Sequence, residues 1–166
     1  MSRILFAGAG GMLVMAAAIV GWMLFSTPAP ASAQTVTVHK TPWCGCCTAW
    51  IDHLRDNGFD VVVKEEEDLR PVRARLGVPD PLMSCHTGEV DGYAVEGHVP
   101  AREIRRLLSE RPEADGLSVP GMPQGSPGME TPNPPDRYDV LLFSGDSTRT
   151  YATYEGPTRL ASPDGQ

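Results

Sequence analysis

The stretch Thr41 to Trp50, TPWCGCCTAW, holds three of the chain's four cysteines within four residues. It separates two segments of different periodicity. Before it, residues 35–38 (TVTV) alternate polar and apolar side chains, which predicts a short half-buried strand. After it, apolar side chains recur at helical spacing up to Asn57-Gly58, where the predicted helix ends.

The pattern continues downstream. Residues 59–63 are strongly β-branched and predict a second strand, and Asp68 and Gly77 bound a second helix. Asp91-Gly92 suits a two-residue type I′ turn between strands at residues 85–90 and 93–96. Pro100 opens a third helix. The predicted order over residues 35–111 is β-α-β-α-β-β-α, an α/β fold with the thioredoxin-like arrangement, and the cysteines lie at its first strand-to-helix junction.

The sequence from residue 34 onward divides into a domain, an arm, a hairpin and a tail. We expect a thioredoxin-like metal-binding domain at residues 34–111 and an arm rich in Pro, Gly and Met, without regular structure, at residues 112–137. YDVLLF at 138–143 and a partner at 150–154 predict a C-terminal β-hairpin over residues 138–156. Residues 157–166 are expected to form a frayed tail.

The N-terminus predicts export. Residues 4–25 form an apolar run after Arg3, and Ala31-Ser32-Ala33 has the small-x-small form of a signal-peptidase site. Residues 1–33 are therefore either a cleaved signal peptide or an N-terminal membrane anchor, because the run is long enough to span a bilayer. Both alternatives send residue 34 onward across the membrane.

Composition narrows the function classes. The chain has 166 residues and a formal net charge of −7. It carries no basic patch, so nucleic-acid binding has no electrostatic support.

The cysteine spacing allows two chemistries. Cys44 and Cys47 form a CxxC at a predicted helix N-terminus, where the helix dipole favours thiolates for either disulfide exchange or metal binding. A third thiol at Cys46 would compete in disulfide cycling, but it suits a soft metal ion. The predicted topology also brings the distant Cys85 to the CxxC, because the loop that enters the third strand faces it. Thiolates select copper(I), zinc or iron–sulfur clusters, and the three-plus-one split favours copper(I), as one or several ions, over structural zinc.

Methionines and histidines supply further candidates. Met122 and Met129 each follow Pro-Gly in the arm, and they are either metal ligands or apolar contacts that pin the arm to the domain. As ligands, they require the arm to fold back over the cysteines. His98 lies at the same end of the fold as the cysteines and is a further candidate ligand.

The other three histidines are weaker candidates. His39 ends the first strand near the cysteines and is more readily a bystander than a ligand. His53 is expected to be exposed. His86 follows Cys85 and should point away from a site that Cys85 faces, unless the strand begins later.

Two alternatives to metal binding remain open. One is a periplasmic thiol–disulfide oxidoreductase in which Cys44 attacks and Cys47 resolves. The other is an exported domain stapled by two disulfides.

The chain resembles the CopG-type periplasmic copper-binding proteins. The resemblance rests on WCGCC (43–47), RLGVP (75–79), SCHTGEVDGYAVEGHVPAREIRRLL (84–108) and LSVPGMPQGSPGME (117–130). It implies a thioredoxin-like fold, copper bound by Cys44, Cys46, Cys47 and Cys85, and a role in copper homeostasis or resistance. The expected partners are copper ions and a cuproprotein or copper efflux component.

Overall fold

The computed structural model describes residues 34–161. The predicted signal peptide or anchor at residues 1–33 lies outside the described residues. Within residues 34–161, no helix has both the length and the apolar character needed to cross a membrane.

Among the described residues, one mixed sheet of eight strands and three helices build the fold, which confirms the predicted α/β class. The strands are β1 (Thr35–Lys40), β2 (Asp60–Glu65), β3 (His86–Val90), β4 (Tyr93–Glu96), β5 (Gly116–Ser118), β6 (Arg137–Ser144), β7 (Ser147–Glu155) and β8 (Thr158–Arg159). The helices are α1 (Gly45–Asp56), α2 (Arg70–Arg75) and α3 (Ala101–Glu110), and a 3-10 turn spans Asp80–Leu82.

The first half of the sheet follows the predicted order β-α-β-α-β-β-α. Its strands lie in the spatial order β2-β1-β3-β4, with β1 and β2 parallel and the other two pairs antiparallel. Asp91 and Gly92 both have positive φ, 48° and 87°, as a type I′ turn requires. This tight turn fixes the register of β3 against β4, and therefore the position of the residues just before β3.

The second half extends the same sheet. β5 pairs parallel with β4 and antiparallel with β6, and β7 and β8 follow in order. The sequence predictions for the arm and for the C-terminal tail differ from this arrangement of strands. The arm at residues 112–137 was expected to lack regular structure but contains β5, and the predicted tail contains β8. β5 is three residues long and begins at Gly116, where an added Cβ would collide with the backbone of Ala94. Backbone pairing, and not side-chain alternation, therefore defines this strand. The boundaries predicted for the domain, arm and hairpin stay predictions.

The core lies between α1, α3 and one face of the sheet. Its fully buried members include aliphatic side chains from β1, α1, α3 and β5: Val36, Val38, Leu54, Ile104, Leu107 and Leu117. Burying one such side chain stabilises the fold by about 1.5–3 kcal/mol. Trp50 is also fully buried, and its Nε1–H donates to the carbonyl of Val99 at 2.9 Å. Because Trp50 lies in the second turn of α1, these contacts hold the N-terminus of that helix against the sheet.

Candidate metal centre

Three cysteines lie at the N-terminus of α1. Cys44 is the N-cap residue, and its backbone N–H donates to the carbonyl of Thr41 at 3.2 Å, which closes the turn between β1 and the helix. Cys46 and Cys47 lie in the first turn. The unpaired N–H groups and the positive end of the helix dipole favour negative charge on sulfur at this position.

The fourth cysteine lies beside them. Cys85 immediately precedes β3, and β3 pairs with β1 so that His86 is opposite Lys40, near the point where the chain turns towards α1. The Cys46 Sγ lies 3.6 Å from the Cys44 Sγ and 3.8 Å from the Cys85 Sγ. All four sulfurs lie within 4.8 Å of one another. The predicted proximity of Cys85 to the other three is therefore confirmed; we call this group the sulfur cluster.

The four sulfurs are not equivalent. Cys44 and Cys47 are joined by a disulfide, whereas Cys46 and Cys85 are free thiols. The Cα atoms of the bonded pair are 5.4 Å apart, within the ordinary range for a disulfide. The structure thus differs from the expected set of four thiolates: two sulfurs become ligands only after the disulfide is reduced. It also differs from the stapling alternative, because the four cysteines form one disulfide and not two.

Cys85 is held as a protonated thiol. Burial raises the pKa of the Cys85 thiol to about 12, and the adjacent Cys46 adds to the shift. A metal ion that binds this sulfur must displace its proton, so metal affinity depends on pH.

The structure brings His98 to the sulfur cluster. Its Nε2 lies 3.0 Å from the Cys85 Sγ, and its Nδ1 lies 2.8 Å from the carbonyl oxygen of Pro127. Because a carbonyl only accepts, Nδ1 carries the proton and Nε2 presents a lone pair towards the sulfur. Burial lowers the pKa of His98, which keeps the ring neutral at physiological pH. The sequence prediction that His98 lies near the cysteines is confirmed.

His86 also contacts the sulfur cluster, unlike the sequence expectation for a regular strand. Its Nδ1 lies 3.3 Å from the Cys85 Sγ, because β3 begins at His86 and strand alternation does not yet apply to Cys85. The ring is fully buried 4.2 Å from the ring of Trp50, and within residues 34–161 its Nε2 has no hydrogen-bond partner. Burial and the neighbouring His98 lower the pKa of His86 well below its usual value. Cys85, His86 and His98 form a second group of donor atoms within 4.8 Å of one another.

The other two histidines lie elsewhere. His39 is buried at the end of β1, and its Nδ1 lies 3.2 Å from a carboxylate oxygen of Glu66. It is not a member of either donor group found among the described residues. His53 was expected to be exposed, but it is half-buried, and its Nε2 accepts a hydrogen bond from the backbone N–H of Ala101 at 3.1 Å. This bond joins α1 to the start of α3.

The arm contacts the residues around the sulfur cluster. The Ser84 hydroxyl donates to the carbonyl of Gly121, and the Gly121 N–H donates to Met83 at 3.3 Å. Further along, Pro127 accepts the hydrogen bond from His98. Gly128 has a φ of +83°, and a Cβ there would lie 2.6 Å from the backbone nitrogen of Trp50. The arm therefore crosses the first turns of α1 in close contact.

The two candidate methionine ligands flank these anchor points. Met122 follows Gly121 and is 55% exposed, and Met129 follows Gly128 and is half-buried. Sequence reasoning identified the two methionines but missed the two glycines. Their Pro-Gly-Met repeats carried the signal, because glycine permits a positive φ at both positions and, at Gly128, a close approach to the backbone of α1.

Comparisons with known proteins agree with this site. The family model described as "Protein of unknown function, DUF411" matches residues 82–129, which include Cys85, His86, His98 and most of the arm. Two solved structures are similar to the chain over most of its length, and they are described as Form 1 and Form 2 of copper resistance protein CopG. Each has 46% sequence identity and a TM-score of 0.70; Form 2 covers 74% of this chain and 98% of its own, and Form 1 covers 75% and 99%. No curated protein matches the sequence.

Proposed function

The chain belongs to the CopG family of copper resistance proteins, and on that premise we propose that it is an exported protein that holds copper(I) in its sulfur cluster. The single observation that carries the proposal is the position of Cys85. Folding brings this sulfur, from a residue 39 positions after Cys46, to 3.8 Å from the Cys46 sulfur. The four cysteine sulfurs, three of them on half-buried residues, are a soft donor set, and such donors favour copper(I), zinc or iron–sulfur clusters over hard cations. The similar copper resistance proteins favour copper(I) among these.

The donor set fits copper(I) better than a hard cation. Neutral imidazoles at His86 and His98 stand beside the sulfurs, and no carboxylate belongs to either donor group within residues 34–161. Thiolates also bridge copper(I) readily, so the cluster accommodates one or several ions. We propose Met122 and Met129 as additional thioether donors from the arm.

Loading requires both electrons and protons. The Cys44–Cys47 disulfide must take two electrons and two protons from a dithiol reductant to give two thiols, while the reductant becomes a disulfide. Copper(I) then displaces protons from the four thiols, and these protons pass to solvent. In an oxidising compartment the disulfide is the expected state of the metal-free protein.

Two sulfurs of the cluster are accessible enough for copper to be passed to a partner. Cys46 and Cys85 are only partly buried, so a partner can reach them by ligand exchange. We propose that the protein sequesters copper(I), or exchanges copper or electrons with a cuproprotein or an efflux component, after residues 1–33 have directed it to the periplasm.

Copper(I) stoichiometry tests the proposal. The reduced protein, residues 34–166, is loaded with copper(I) under anaerobic conditions, and bound copper is compared with that of the four single Cys→Ser variants. We expect Cys85→Ser to lower the stoichiometry as much as Cys46→Ser does. His98→Asn and His53→Asn are a matched pair, because His98 contacts the cluster and His53 does not. Of these two variants, only His98→Asn is expected to bind copper more weakly. A Cys85→Ser variant with the stoichiometry of the wild type would overturn the shared site.

A second function is favoured by the disulfide itself. Cys44 and Cys47 are bonded in the CxxC register of a thiol–disulfide oxidoreductase. In that reaction a Cys44 thiolate attacks a substrate disulfide, one substrate thiol leaves, and Cys47 then attacks Cys44 to release the second. Cys46→Ser separates the two functions: retained disulfide exchange together with negligible copper binding by the wild type would favour the oxidoreductase.

A further inference from the structure

Glu96 is a buried carboxylate at the end of β4, next to the sulfur cluster but outside it. Its side chain is fully buried. Oε1 accepts hydrogen bonds from the backbone N–H of Ser84 at 2.7 Å and from Arg73 Nε at 3.0 Å. Oε2 accepts from the hydroxyl of Thr87 at 2.6 Å. One carboxylate therefore ties together the residues on both sides of the Cys85-His86 pair.

Arg73 completes the arrangement. Its Nη2 donates to the carbonyl oxygen of Ser84 at 2.6 Å, while its Nε donates to Glu96. Both backbone polar groups of Ser84 are thus held by one ion pair between α2 and β4. Cys85 follows directly in the chain, in the short irregular segment between the 3-10 turn and β3.

A buried ion pair at this place calls for a reason beyond stability. Removing two charges from water costs several kcal/mol for each ion, and a well-packed apolar replacement is often as stable or more stable. Within the described residues, the segment that carries Cys85 belongs to no strand, so bonds from neighbouring groups set its path. Gly121 of the arm bonds to Met83 and Ser84 on the N-terminal side only. The bonds from Glu96 and Arg73 supply that constraint on each side of the cysteine.

We propose that Glu96 is a positioning residue that fixes the Cys85 sulfur beside Cys46. The proposal rests on the proposed function only where copper is the readout. The position of the thiol is independent of any metal.

The test compares two buried glutamates. Glu103 is also fully buried and paired with arginines, but it lies in α3 and bonds to Tyr154 of β7 at 2.7 Å. Glu96→Ala and Glu103→Ala therefore both remove a buried carboxylate, and both should lower the unfolding midpoint. The readout is the ratio of alkylation rates of Cys85 and Cys46 within one molecule, measured by mass spectrometry on the metal-free, disulfide-intact protein.

We expect Glu96→Ala to change this ratio by about tenfold or more, the effect of losing one to two buried hydrogen bonds to a charged group. Glu103→Ala should leave the ratio within about twofold of the wild type. Glu96→Gln should restore it, because the amide oxygen still accepts from Ser84 and the amide nitrogen can donate to the Thr87 hydroxyl. An unchanged ratio in Glu96→Ala, or an equal change in Glu103→Ala, would overturn the proposal.

Thr87→Val provides a second variant if Glu96→Ala does not fold. It removes one hydrogen bond at nearly constant volume, and we expect a smaller change of the ratio in the same direction. No change in Thr87→Val would then count against the positioning role. Copper binding by the wild type separates the two proposals. If the wild type binds no copper but Glu96→Ala changes the alkylation ratio, the proposed function alone is contradicted. If the wild type binds copper but Glu96→Ala leaves the alkylation ratio unchanged, the positioning role alone is contradicted.

Discussion

Gly128→Ala is expected to displace the arm from the N-terminal turns of α1, next to the sulfur cluster. Gly128 has a φ of +83°, and a Cβ there would lie 2.6 Å from the Trp50 nitrogen and 3.1 Å from both the Ala49 carbonyl carbon and the Cys46 oxygen. All three atoms belong to the helix backbone, so they cannot move without breaking the first turns of α1. The substitution therefore forces the arm, and not the helix, to give way.

Two costs contribute to the effect. A left-handed conformation costs a non-glycine residue about 1–2 kcal/mol. Forcing an extra carbon into a close-packed contact costs about 1–3 kcal/mol more. The free energy that keeps the arm docked should fall by about 2–5 kcal/mol, unless the arm is released first and limits the loss.

Gly92→Ala is the matched control for the first cost. Gly92 has a φ of +87°, but no atom lies within 4 Å of the position that its Cβ would take. The difference between the two variants therefore isolates the contact with α1. Urea unfolding gives the total loss for each variant, and limited proteolysis followed by mass spectrometry measures how often the arm opens.

We expect Gly92→Ala to lose about 1–2 kcal/mol with no faster cleavage of the arm. Gly128→Ala should lose at least about 1 kcal/mol more, increase arm cleavage by about fivefold or more, and release copper(I) faster. Equal losses in the two variants, with arm cleavage unchanged in both, would refute the close packing of the arm on α1.

Three further predictions concern the rest of the fold. Burial lowers the pKa of His53 below its usual 6.5, so the folded state binds fewer protons than the unfolded state and the free energy of unfolding should fall as pH drops below about 6.5. Urea unfolding at about pH 7.5 and about pH 5.5 should show a smaller fall for His53→Gln, whose amide can still accept from Ala101, and an identical fall would contradict this role. Tyr154→Phe removes a buried hydrogen bond to Glu103 and should cost about 1–2 kcal/mol of stability by denaturant unfolding; a change below about 0.5 kcal/mol would show the bond to be unimportant. Trp43 is 73% exposed, so Trp43→Ala should change stability by less than about 0.5 kcal/mol in the same assay, and a larger loss would mean that this ring packs on the fold.

The first half of the fold could be predicted from sequence because its signals are local. Alternation marks β1, β-branched residues mark β2, and Asp91-Gly92 marks the turn of the hairpin. Strand boundaries in the structure differ from the predicted ones where hydrogen bonding between strands extends beyond the alternating pattern. β1 continues through His39 to Lys40 because it is paired on both sides, with β2 and β3. The position of Cys85 could also be predicted, since it follows from topology alone.

What sequence reasoning missed depends on contacts between distant backbones or side chains. β5 has only three residues and exists because β4 and β6 both offer it hydrogen bonds. The contact of His86 with Cys85 depends on the residue at which β3 starts, and pattern reasoning locates such starts only to within a few residues. The bond between Cys44 and Cys47 is a matter of redox state, which spacing alone leaves open.

The extension of the sheet by β5 to β8 also determines where another chain could add a strand. Across residues 34–161, one outer border of the sheet is β8, which is only two residues long, and the other is β2. The β2 border exposes Val62 and Val63, but after Lys64 come four consecutive acidic residues, from Glu65 to Asp68. Two copies aligned side by side there would bring these like charges together. Electrostatic repulsion between copies therefore protects the long open border at β2 from strand addition, and that protection should weaken as ionic strength rises.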